Sequence, residues 1–247
     1  MNEPIELLQF RYSPYNEKIR WALDYKGIAH TRHNLAPGPH VPVTRKLTGQ
    51  TATPVLKIGG RAIAGSARII GELEALKPSP ALYPADATLK TRALAIEKRF
   101  DDDLMPRIRR AILMTIVHDG HYVSKVFGGG FLYGLLFPLV RGLVKKGNGI
   151  TGPESAADGE RAAQEAFDWV ANETTATGYL AGSSFSVADL AVASHLATCV
   201  DPPHVDMQRP QPAPQKMNDW LARWRAHPGA AWVMRMYAKH RPQPLAT

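Results

Sequence analysis

The chain has 247 residues, 45 % of them hydrophobic and 21 % charged. That is an ordinary balance for a globular protein, long enough for one large domain or two modest ones. The net charge of +8 favours acidic small molecules or anionic surfaces. The basic residues are scattered, with no basic tail and no aromatic-basic interleaving, which argues against nucleic-acid binding. The single cysteine, Cys199, excludes an intrachain disulfide and fits a reducing, cytoplasmic setting. Acids at Glu3 and Glu6 stand where a signal peptide would carry cations, so none is expected.

Residues 5–10 alternate and read as a strand. Tyr12-Ser13-Pro14-Tyr15-Asn16 follows and opens a helix over 14–26. Ser13 suits the N-cap, Pro14 the first helical position and Gly27 the stop. A hydroxyl thus stands at the positive end of a helix dipole, just past a strand end, where an anion such as a thiolate can be held. Residues 29–35 read as a second strand, and 41–47 as a short helix after a Pro/Gly loop. Two β-rich runs flank Gly59-Gly60, a hairpin signal. Gly65-Ser66 then leads into an apolar helical pattern at Ile69, Ile70, Leu73 and Leu76, with Ser66 placed as N-cap.

Pro78, Pro80 and Pro84 interrupt the chain, and only helical patterns follow. Residues 88–118 read as a long helix bent or broken at Pro106. The uncharged run 126–140 would extend roughly 22 Å as a helix, short of the ~30 Å hydrocarbon core of a bilayer. It reads as a buried helix or the wall of an apolar pocket, and no membrane span is expected. Gly128-Gly129-Gly130 lacks the lysine and hydroxyl of a phosphate loop and reads as a turn between helices. Further helices are expected within 131–146 and at 154–177. Ser186 and Asp189 have capping-box spacing, with Phe185 and Leu190 as a staple, and open a helix to about Cys199. Residues 201–215 form a proline-rich surface loop, and helices at 216–227 and 229–240 close the chain. His118 with His121, and His195 with Cys199, lack a third ligand at a recognised spacing, so no metal site is expected.

Five features resemble the soluble glutathione transferases of the serine type: the segment 13–23, the Thr53-Pro54-Val55-Leu56 turn, Gly65-Ser66 before the third helix, the proline-marked junction near residue 80, and the capping segment 184–194. The resemblance covers nearly the whole chain. It implies a thioredoxin-like glutathione-binding domain over 1–80, a linker over 81–87 and an all-helical domain over 88–247, α/β followed by all-α, with a homodimer as the usual assembly. It also implies that Pro54 is a cis-proline, that Thr53 pairs through its backbone with the cysteinyl part of glutathione, and that Ser66 meets the γ-glutamyl carboxylate. Ser13 matches the catalytic serine, with helix capping as the alternative role. Tyr12 and Tyr15 are alternative donors. Ser13-Pro14-Tyr15-Asn16 also resembles the Cys-Pro-Tyr-Cys motif of glutaredoxins without its sulfurs, and dithiol exchange cannot run on Ser and Asn.

Gly65 departs from the family, which commonly has an acid there to meet the γ-glutamyl ammonium. Asp101-Asp102-Asp103 could supply one from a neighbouring subunit, or form a solvated face balancing Lys98 and Arg99. Tyr12, Met105, Arg109, residues 114–118 and residues 127–137 are candidate walls for a small-molecule electrophile, with Arg109 placed to meet an acidic group; core packing is the alternative. The expected function is transfer of glutathione, as co-substrate, to an apolar electrophile. A glutathione-dependent isomerase, lyase, dehalogenase or peroxidase, or a non-catalytic module on the same fold, is the alternative.

Overall fold

The protein is described by a computed structural model covering residues 4–128 and 130–244. Strand β1 (Ile5–Gln9) leads into helix α1 (Pro14–Tyr25), then β2 (Thr31–Asn34), α2 (His40–Thr48), the hairpin β3 (Val55–Ile58) and β4 (Arg61–Ala64), and α3 (Ser66–Leu76). The four strands form one mixed sheet in the order β2-β1-β3-β4. β2 runs parallel to β1, with Leu7 opposite Arg32, while β3 and β4 are antiparallel, with Leu7 opposite Leu56 and Leu56 opposite Ile63. Side chains alternate across a strand, so one face of the sheet presents Leu7, Leu56 and Ile63 to the main core. The other face packs Leu8, Val55 and Ala64 in a small separate cluster. This is the thioredoxin-like arrangement. Gly59 and Gly60 both have positive φ at the hairpin, which suits a tight two-residue turn.

The rest of the chain is helical: α4 (Ala87–Arg99), α5 (Met105–Ile116), α6 (Gly120–Phe127), α7 (Gly130–Gly147), α8 (Pro153–Glu173), α9 (Val187–Val200), α10 (Gln215–Arg225) and α11 (Pro228–His240). α9 is buried along its whole length, as a helix apolar all round must be. α1 packs against it on one side and against α3 on another. The helix that begins at Ser13 is therefore held by both halves of the chain.

Three expectations change, and one pair of alternatives is decided. The break in the long helix is a π-helical turn, Phe100–Leu104, ahead of Pro106. Proline has no N–H for the carbonyl four residues back, and Met105 N–H instead reaches the carbonyl of Phe100, five residues back. Ser66 is the first residue of α3, not its cap; Gly65 takes the cap position. α6 was not anticipated, because it is short and its glycine-rich exit masks the period. Gly128 closes it in a left-handed conformation, while the middle of the expected turn, residue 129, lies outside the described residues. Finally, of the two roles open to the run 126–140, a buried helix or a pocket wall, α7 takes the second. It walls the cavity described below on one side and exposes apolar residues on the other. Among the described residues, no helix is long and apolar enough to cross a membrane.

Candidate functional site

A cavity of about 470 Å³ opens between the sheet layer and the helices. Its floor is the β1–α1 turn, from Phe10 through Tyr12, Ser13, Pro14 and Tyr15, together with residues 51–53. Its walls come from Met105, Arg109 and Ile112 on α5, Tyr122 and Val126 on α6, and Tyr133, Phe137 and Val144 on α7. The lining is mostly apolar with a few polar groups, the usual make-up of a small-molecule site.

Ser13 occupies the N-cap of α1 with extended backbone (φ −79°, ψ 131°). Its carbonyl accepts from the amides of Asn16 (3.1 Å) and Glu17 (2.9 Å). Its hydroxyl makes no capping bond. The helix start is thus formed by backbone, and Ser13 is one of the residues that line the cavity. The neighbouring phenols are differently placed. Tyr12 donates its hydroxyl to the carbonyl of Gln208 at 2.8 Å, and Tyr15 to the carbonyl of Asp101 at 2.7 Å. Burial raises the pKa of both. Of the three hydroxyls in this turn, only that of Ser13 has no hydrogen-bond partner among the described residues.

The Thr53–Pro54 peptide bond is cis. The Thr53 hydroxyl accepts from Asn16 Nδ2 at 3.0 Å, which ties the loop before β3 to the first turn of α1. No main-chain hydrogen bond pairs Thr53 with another described residue. Pro54, Gly65 and Ser66 are not among the residues that line the cavity. Gly65 has φ +92°, a conformation that L side chains rarely adopt, so the backbone itself favours glycine where an acid was expected.

Ser66 belongs to a buried polar cluster that the sequence did not announce. Its hydroxyl lies 3.3 Å from Asp101 Oδ2 and 3.4 Å from Lys18 Nζ. Lys18 is fully buried and bridges Asp101 and Glu97, each at 2.7 Å. Burial raises the Glu97 carboxyl, against the lowering effect of Lys18. His195 Nε2 stands 3.4 Å from Asp101 Oδ1, and its ring meets that of Tyr15 edge-on. Burial pulls the imidazole down to about 4, so it is neutral at pH 7. Of the three adjacent acids, only Asp101 turns inward; Asp102 pairs with Lys98, and Asp103 lies 3.6 Å from Arg107.

Met105, Arg109 and Tyr12 all reach the cavity, as does Ile116; Met114, Thr115, Val117 and His118 do not line it. Arg109 Nε is buried without a hydrogen-bond partner among the described residues. Sequence reasoning missed Tyr122 on the unanticipated α6 and Arg209 in the proline-rich loop, both of which line the cavity. No periodicity marks either position. Cys199 is buried, and burial pushes its thiol up to about 12. Glu17, His204 and Asp206 could converge on a metal ion, but both carboxylates already accept from arginines: Glu17 from Arg20 and Arg241, and Asp206 from Arg32 and Arg241.

Residues 7–81 match the sequence profile of the glutathione S-transferase N-terminal domain. A maleylpyruvate isomerase from Ralstonia is 32 % identical over 127 residues, which make up 50 % of this chain and 57 % of that protein. The chain therefore matches little more than half the length of that relative. Among solved structures, a glutathione S-transferase from Methylobacillus flagellatus with glutathione bound aligns with a TM-score of 0.65 at 18 % identity, over 95 % of each chain. A beta-etherase from Sphingobium aligns at 0.64 and 16 % identity, over 94 % of this chain and 98 % of the other. At such identities these two likenesses speak for the fold. Residues 7–81 thus carry a glutathione S-transferase N-terminal domain, and the fold over nearly the whole length is one shared with these solved structures.

Proposed function

We propose that the protein is a glutathione-dependent enzyme that holds the glutathione thiolate at Ser13 and presents it to an electrophile in the adjoining cavity. The observation that carries this reading is the Ser13 hydroxyl, at the N-terminus of α1 and unused in capping, on a residue that lines the cavity. Thr53 and cis-Pro54 would pair with the cysteinyl backbone, and Gly65 and Ser66 would take the γ-glutamyl end. Tyr12, Met105 and Arg109 would contact the electrophile. The division at 81–87, a homodimer and a cytoplasmic setting belong to the same proposal.

The energetics are sufficient without a general base. Lowering a thiol's pKa from about 8.5 to about 6.5 takes about 2.7 kcal/mol. A helix N-terminus offers about 0.3–1 kcal/mol, up to ~2 in a partly buried site. A hydroxyl donating to the anion adds about 1.5–3 kcal/mol. The remaining rate enhancement would come from holding thiolate and electrophile together.

One observation favours a second reaction on the same thiolate. Arg109 lines the apolar cavity and its guanidinium has no ion pair among the described residues, which suits a substrate bearing a carboxylate. The 32 % identity to a protein named a maleylpyruvate isomerase supports glutathione-dependent isomerisation as that reaction.

The deciding experiment compares wild type with Ser13→Ala for glutathione affinity, thiolate pKa and turnover of a thiol-reactive aromatic electrophile. We expect turnover to fall about ten-fold or more (~1.4 kcal/mol) with the thiolate pKa raised and glutathione affinity little changed. An unchanged rate and thiolate pKa would remove Ser13 from the mechanism. No thermal shift with millimolar glutathione would point instead to a non-catalytic module on this fold.

A further inference from the structure

The helix α7 carries two apolar faces. Tyr133, Phe137 and Val144 turn inward and line the cavity. Phe131, Leu132, Leu135, Leu136, Leu139 and Leu143 lie on the other side and face solvent. They recur at i, i+1, i+4, i+5, i+8 and i+12, so at about 100° per residue they share one half of the helix surface. Phe131 and Leu139 are each 80 % exposed, and Leu143 71 %. Single exposed apolar residues are normal, whereas a continuous stripe along a helix marks an interaction surface.

Charge says what covers it. Between residues 120 and 153 the chain holds Lys125, Arg141, Lys145 and Lys146 and no acidic residue. Lys145 and Lys146 lie in the last turn of α7, and Lys146 continues the line of the exposed stripe. A second copy seated on this face would meet the same cations with no acid from the segment to pair with them. A surface that is apolar below and anionic above satisfies both features. No described helix is long and apolar enough to cross a bilayer, so α7 would lie along one.

We propose that α7 docks on an anionic lipid bilayer, its exposed stripe inserted at the boundary of headgroups and acyl chains and Lys145 and Lys146 among the phosphates. Such helices bury their apolar face about 5–10 Å deep and combine apolar burial with attraction to anionic lipid. The opposite face of the same helix walls the cavity, so docking sets the cavity one helix diameter from the bilayer. This inference rests on the exposed face and the charge pattern, and stands whichever reaction the cavity supports.

The test is co-sedimentation of the full chain with vesicles of phosphatidylcholine alone and of phosphatidylcholine mixed equally with phosphatidylglycerol. Binding to the mixed vesicles is expected to be about ten-fold or more tighter, and to weaken with salt. Leu139→Glu with Leu143→Glu, both solvent-exposed changes, should abolish it while the circular dichroism spectrum and Tm stay unchanged. Lys145→Ala with Lys146→Ala should weaken binding to mixed vesicles by about ten-fold or more and leave weak binding to phosphatidylcholine unaltered. Absence of binding to either vesicle, equal binding to both, or full binding by the double glutamate variant would overturn the proposal. So would light scattering that shows the glutamate variant converting a dimer to a monomer, which would give the face to a second copy.

Discussion

Arg241 Nε donates to Glu17 Oε1 at 2.8 Å, joining the segment after the last helix to the helix that begins at Ser13. The same guanidinium reaches Asp24 Oδ2 at 2.8 Å and Asp206 Oδ2 at 2.6 Å. Tyr237 also donates to Glu17 Oε1, at 3.1 Å. Arg241 and Glu17 are buried, so the pair works in a low dielectric where an unmatched charge is costly.

Removing the arginine alone should therefore cost far more than a surface pair would. Arg241→Ala is expected to lose about 3–5 kcal/mol of unfolding free energy, read by urea titration. Arg241→Lys should recover only part of it, since an ammonium lacks the fork that reaches three carboxylates. Burial raises the Glu17 carboxyl, but Arg241 and Arg20 outweigh it and hold it down to about 2. A carboxyl lowered in the folded state stabilises above its unfolded pKa of about 4.3 and loses that contribution as pH falls toward 2. The acid limb of the stability profile should accordingly flatten between about pH 4 and pH 2 in Arg241→Ala. An unchanged acid limb would mean that the arginine does not govern Glu17.

Gly65 tests whether the absent acid can simply be restored. Its φ of +92° leaves open space around a hypothetical Cβ but imposes a strained backbone. Gly65→Glu is expected to lower stability by about 1–2 kcal/mol. It should not tighten glutathione binding without that loss of stability, because the strained backbone is imposed with or without the ligand. A tighter dissociation constant by isothermal calorimetry, with Tm unchanged, would contradict this account.

The sheet and the helix at Ser13 were legible because their signals are local. Alternation in residues 5–10, Pro14 at the helix start and Gly59-Gly60 at the hairpin each act within a few residues. Ser186 and Asp189 were readable for the same reason, and Asp189 Oδ2 accepts from Ser186 N at 3.0 Å. What stayed hidden depends on contacts between distant segments. Nothing local to Lys18 announces Asp101 or Glu97, and nothing local to Glu17 announces Arg241, 224 positions away. The role of α7 was half legible: its hydrophobicity was plain, but which of its two apolar faces would be covered depends on where α6 lies.

That position is fixed by two glycines. A Cβ at Gly120 would stand 2.6 Å from the carbonyl oxygen of Gly134, so α6 and α7 meet backbone to backbone there. Gly120→Ala must push α7 away and is expected to cost about 1–3 kcal/mol. Because α7 walls the cavity, the variant should also bind an apolar fluorescent probe with altered affinity. Gly142 on the same helix has open space around it. Gly142→Ala should instead gain about 0.5–1 kcal/mol from helix propensity alone. Equal effects of the two substitutions would show that backbone approach does not set this wall.

Arg109 decides between the two reactions considered for the cavity. Its Nε is buried and without a hydrogen-bond partner among the described residues, on a wall that is otherwise mostly apolar. A carboxylate placed against the terminal nitrogens of its guanidinium would gain a charge-assisted bond, about 1.5–3 kcal/mol. Arg109→Leu is therefore expected to lower kcat/KM for a carboxylate-bearing substrate by about ten-fold to a hundred-fold. Turnover of a neutral aromatic electrophile should stay within about two-fold, since leucine keeps the apolar contact. Steady-state kinetics on the two substrates, run with the same glutathione concentration, separates the outcomes. Equal losses on both would make Arg109 a structural residue and withdraw its support from the isomerase reading.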